Sequence, residues 1–82
     1  MDKSIQDRAS ESVTIMRKLV ETLQLPEDDP DIIALRVEMN KYIRTGEPWS
    51  GTINFTRWGR IAHCVFPRKA SKPVEVTLKS IT

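Results

Sequence analysis

The chain is poor in the residues that small proteins use as staples or as reagents. In 82 residues it has one cysteine, Cys64, and one histidine, His63. A single thiol excludes an internal disulfide, and one imidazole beside it cannot complete a cysteine-pair zinc site. Only three glycines occur, Gly46, Gly51 and Gly59. They form no phosphate-cradling loop and no nucleotide fingerprint. Apolar runs are short, and none approaches the roughly 20 residues that span a bilayer. The opening MDKSIQDRASES is polar and lacks the apolar segment of a signal peptide. A lone free thiol fits a reducing compartment. The expectation from these absences is a soluble, intracellular (cytoplasmic) protein with no cofactor, no membrane span and no enzymatic activity.

What is present is an ordinary globular composition, 39 % hydrophobic and 29 % charged. The length fits one small domain, residues 1–82. A chain this short buries only around 60–65 % of the surface it exposes when unfolded. With no disulfide or metal to add stability, association of copies into a homo-oligomer is the expected support.

Acids are missing from one long stretch. NFTRWGRIAHCVFPRKASKP, from Asn54 to Pro73, holds five basic residues and no Asp or Glu. The asymmetry extends to the two halves of the chain. Residues 1–45 carry seven Lys/Arg against nine Asp/Glu, a net of −2, and residues 46–82 carry six against two, a net of +4. A basic half points to a polyanionic partner.

Periodicity divides the chain at Gly46. Ile5, Ala9, Ser12, Val13, Met16, Leu19, Val20 and Leu23 recur at steps of three and four, which predicts an amphipathic helix over about residues 4–24. Pro26 ends it, and the acidic LPEDDP is a loop. Asp29 is placed to cap a second helix with Pro30 at its first position and Asp31 in its first turn. That helix is predicted over about residues 30–44, with Gly46 as terminator. Ile32, Leu35, Met39, Tyr42 and Ile43 form one stripe, and Ile33 and Val37 widen it, so contact on two sides is expected. After Gly46 the period becomes twofold. Strands are predicted over about residues 50–55, 60–66 and 74–81, with TRWG as the first turn and Gly59 at its positive backbone angle. In the last strand Val74, Val76 and Leu78 point inward. In the middle one both faces are apolar, and the pattern does not choose between them. The fold class is α+β: two N-terminal helices, then a three-stranded antiparallel β-meander (ααβββ) with the helices on one face of the sheet.

The candidate site is the basic hairpin. Arg57, Arg60, Arg68, Lys69 and Lys72 suit phosphate contacts, and Trp58 at the predicted tip suits stacking on a base. The plainer reading is that these charges solvate turns and guard strand edges. Trp49 is expected to plug the core at the junction of helix and sheet. His63 and Cys64 are neighbours on a strand, so they face opposite ways and do not make a catalytic pair. The acids Glu27, Asp28, Asp29 and Asp31 lack the spacing of a calcium loop, and capping accounts for two of them. One further use of that loop is to meet the basic hairpin of another molecule.

The function these features point to is a small accessory protein that binds DNA or RNA through a basic, Trp-tipped hairpin, as a homodimer. The alternative is a protein-interaction module, an adaptor or inhibitor docking on a larger protein by its sheet edge or by Trp58, or an assembly subunit.

Overall fold

The structure is a computed structural model that describes residues 1–81. Helix α1 spans Ile5–Leu23. Ser4 caps it by accepting from the Asp7 N–H, the role its hydroxyl is suited to. Gln24 closes it in a left-handed conformation at φ 52°, and the Leu25 N–H returns to the Val20 carbonyl. Helix α2 spans Pro30–Thr45, with Asp29 as its cap and Gly46, at φ 73°, as its terminator. Three strands follow: β1 Trp49–Phe55, β2 Arg60–Phe66 and β3 Glu75–Ser80. They form one antiparallel sheet in the order β1-β2-β3. A 3₁₀ turn, Thr56–Trp58, and Gly59 at φ 67° join β1 to β2.

The ααβββ order is as the periodicity predicts, and element ends differ by a residue. Strand β1 begins at Trp49, which pairs with Phe66. Strand β3 begins at Glu75, and the Val74 N–H just before it, which faces away from β2, donates to Glu11 Oε1 on α1. Pro73 before it can donate nothing.

The choice of face in β2 is resolved by burial. Ala62, Cys64 and Phe66 are buried, and Ile61, His63 and Val65 lie on the other side. Phe55, Val74 and the α2 stripe of Ile32, Leu35, Met39 and Tyr42 complete the core, with Leu19 and Leu25 from the first helix and its loop. Tyr42 stacks on Phe66 at 5.2 Å between ring centres, and Trp49 stacks on Phe66 at 5.3 Å. The Tyr42 hydroxyl donates to the Pro67 carbonyl at 2.6 Å. Burial, with the Glu11 carboxylate adding to it, pushes the Tyr42 phenol above its ordinary pKa. Burial alone pushes the Cys64 thiol up to about 11.

Helix α1 is less immersed than its period implies. Ser12 is buried, whereas Ile5 and Val13 are 58 % and 50 % exposed. On α2, Ile33 and Val37 face solvent. Helix α2 nonetheless packs against both α1 and β1, so the contact on two sides expected for it is made, without Ile33 and Val37 being covered.

The N-terminal residues are tied down by polar contacts. The Lys3 N–H donates to the Arg68 carbonyl, and the Ala70 N–H donates to the Met1 carbonyl. The Lys3 ammonium, its side chain 4 % exposed, meets Glu11 at 2.8 Å. Arg8 donates through Nε and Nη2 to the Ile43 carbonyl and through Nη1 to the Lys3 carbonyl. It thus satisfies an orphan carbonyl in the last turn of α2 while joining that helix to the N-terminal segment.

Candidate nucleic-acid interface

The five basic residues that lie together in sequence are separated in space. Arg57 and Arg60 flank the start of β2, and Arg68, Lys69 and Lys72 follow its end. Seven strand residues at about 3.3 Å each put roughly 20 Å between the groups. The +5 of the linear stretch is therefore two clusters, one at each end of the sheet.

The turn cluster is partly engaged within the chain, although the Arg57 side chain stays 63 % exposed. Asp29 is fully buried. Its Oδ1 accepts from the Asp31 and Ile32 N–H groups at 3.0 and 3.1 Å, and its Oδ2 accepts from the Trp58 indole N–H at 3.0 Å. The Arg57 guanidinium stands 3.9 Å from the same oxygen and 5.8 Å from the Trp58 ring centre. Burial acts to raise the Asp29 pKa, but the hydrogen bonds from Trp58, Ile32 and Asp31, with the Arg57 charge, hold it below the ordinary carboxylate range. The acidic loop and the basic hairpin meet inside one chain, where the sequence left their meeting to two molecules. Trp58 is half-buried as a clasp between the turn and the cap of α2. Arg60 is half-buried and donates to the Gly59 carbonyl.

The far cluster is open. Arg68, Lys69 and Lys72 are exposed, and Lys69 pairs by backbone with Asp2. Between the two clusters lies the sheet face turned away from the core. It presents Ser50, Thr52 and Asn54 from β1, His63 and Val65 from β2, and Glu75, Thr77 and Lys79 from β3, all exposed. Register places Thr52, His63 and Thr77 in one cross-strand row. That face was missed in the sequence because its β1 and β3 residues alternate with the core set and are polar, a pattern shared by any half-covered sheet, and because both faces of β2 are apolar.

No family model, curated protein or solved structure matches this chain.

Concavities lie elsewhere on the surface. A groove of about 530 Å³ between the helices is lined by Val13, Met16, Val20, Met39 and Ile43, with Arg17, Glu21, Glu27 and Arg36 among its polar residues. The Ser12 hydroxyl, buried in its lining, has no hydrogen-bond partner among the described residues. A second, of about 500 Å³, lies between α1 and the edge of β3. Among the described residues no group of three or more His, Cys, Asp or Glu could hold a metal ion, and no helix is long and apolar enough to cross a membrane.

Proposed function

We propose that this is a small non-enzymatic accessory protein that binds nucleic acid with the open face of its sheet. The observation that carries the reading is the arrangement of that face, uncovered and polar apart from Ile61 and Val65, with Arg57 and Arg60 at one end and Arg68, Lys69 and Lys72 at the other. Hydroxyl, amide and imidazole groups on it suit base edges, and the terminal cations suit phosphates. Charge is layered to match. The chain up to Thr45, which forms the helices, has a net −2, and the sheet half a net +4. Trp58 serves here by holding the turn rather than by stacking. A homodimer would present two such faces and double the phosphate contacts.

The test is anisotropy of labelled single- and double-stranded oligonucleotides, titrated at low and moderate salt. Expected is saturable binding that weakens with salt, with a slope reduced by about one for each phosphate contact removed in Arg68→Gln and Lys72→Gln. No binding at low salt, where phosphate affinity is greatest, overturns the reading.

A protein-interaction module is the second reading, favoured by the apolar groove between the helices with its unpartnered Ser12 hydroxyl. It predicts an affinity for a protein partner that survives moderate salt.

A further inference from the structure

Strand β3 is an edge of the sheet, and its outward backbone groups can be identified. The Ile81 N–H donates to the Gly59 carbonyl. In the same antiparallel register, Ile61–Lys79, His63–Thr77 and Val65–Glu75 are then the hydrogen-bonded pairs of the ladder. Val76 and Leu78 fall between them and turn their N–H and C=O groups away from β2, to the open edge. No hydrogen bond reaches those groups among the described residues. An edge of this kind is a template for another strand, and proteins ordinarily blunt it.

The side chains of β3 are ordered about its midpoint. Reading VEVTLKS from Val74 to Ser80, Glu75 and Lys79 stand two residues either side of Thr77, and Val76 and Leu78 one residue either side. We infer that two copies of this chain associate by pairing β3 with β3, antiparallel, about a two-fold axis through Thr77, making one continuous sheet of six strands. Under that axis Glu75 lies opposite the partner's Lys79 and Lys79 opposite the partner's Glu75. Val76 lies opposite the partner's Leu78, and this pair exchanges the N–H and C=O groups left open on each edge. Thr77 meets the partner's Thr77. Opposed charges, aliphatic pairs and paired threonines are each favourable across strands.

Alternatives lose these matches. Parallel pairing in register sets Glu75 against the partner's Glu75 and Lys79 against the partner's Lys79. Sliding the antiparallel partner by two residues separates both ion pairs. The other edge, β1, reads WSGTINF and has no charge to select a register. A two-fold contact also uses up the edge it joins, so it closes at two copies. Beside β3 the concavity of about 500 Å³, lined by Ile15, Leu19, Val76 and Leu78 with Lys18 and Thr22, gives a second copy apolar surface to cover on the helix side.

The inference deepens the dimer within the nucleic-acid reading and is independent of its ligand. A dimer that binds no oligonucleotide would sink that reading alone, and a monomer that binds would sink this one alone. The test is sedimentation of the full chain over a range of concentrations, for the wild type, Glu75→Lys, Lys79→Glu and the double variant. Both side chains are exposed, so circular dichroism should show all four folded. Each reversal turns both ion pairs into repulsions and should weaken association by about tenfold or more. The double variant restores the pairing and should recover the dimer. Amide exchange at Val76 and Leu78 should slow as concentration rises. A monomer at every concentration overturns the proposal. So does a dimer indifferent to both reversals, or growth past two copies.

Discussion

Asp29 shows how much one side chain can be asked to do. A single carboxylate caps α2, receives the Trp58 indole and lies near Arg57, with no exposed surface of its own. Its folded pKa lies below its unfolded value, so its contribution to stability is complete above the ordinary carboxylate range and is lost as pH falls through the depressed value. Asp29→Asn keeps a capping oxygen but sets an amide where the indole N–H needs an acceptor. We expect a loss of about 2 kcal/mol in urea unfolding at neutral pH. The variant should also lose less stability than the wild type on acidification. An equal acid slope in both would place the acid sensitivity elsewhere. Trp58→Phe removes the donor and leaves Asp29 Oδ2 with no hydrogen bond, only the Arg57 guanidinium 3.9 Å away. It should be destabilised as well, with fluorescence then reporting Trp49 alone.

At the scale of elements, α1 is fastened by polar contacts where its apolar stripe falls short. Glu11 meets the buried Lys3 ammonium through Oε2 and the Val74 N–H through Oε1. One residue thus links the N-terminal segment, the helix and the start of β3. Burial acts to raise its pKa, and the bonds from Lys3 and Val74 outweigh this and lower it. Glu11→Gln preserves an acceptor for Val74 but removes the counter-charge from Lys3. The expected cost is about 2 kcal/mol, moderated because Glu11 is partly exposed. In the background of Lys3→Met, which leaves no buried cation behind, the same change should cost less. A double-mutant cycle measures the difference, and a coupling near zero would show that the pair contributes nothing. None of this could be read from the sequence, since Lys3 and Arg8 resemble any solvated cations on a polar N-terminus.

For the whole molecule, the legible part was what local chemistry dictates. The caps at Asp29 and Gly46, the turn at Gly59 and the switch from helical to twofold period gave the element order within a residue or two. Long-range pairing was not legible. The spacing of Arg57, Arg60, Arg68, Lys69 and Lys72 in the chain concealed their separation by the length of β2. Similarly, Trp58 reads as a free tip only while its partner, 29 residues earlier, is out of view. The middle strand was undecided because both its faces are apolar, and only the helices that cover one of them make Ala62, Cys64 and Phe66 interior.

The position of Cys64 makes the protein its own clock. It is the sole thiol, on the central strand, 1 % exposed, with its pKa raised further above neutral by burial. A thiol reagent can reach it only when the sheet parts from the helices. Its labelling rate at saturating reagent should therefore equal the rate of global opening and rise in step with it in urea. Labelling much faster than unfolding would reveal a smaller local opening of the sheet. Because the group is native, dye-free and unique, the kinetic durability of the fold can be timed without altering a single residue.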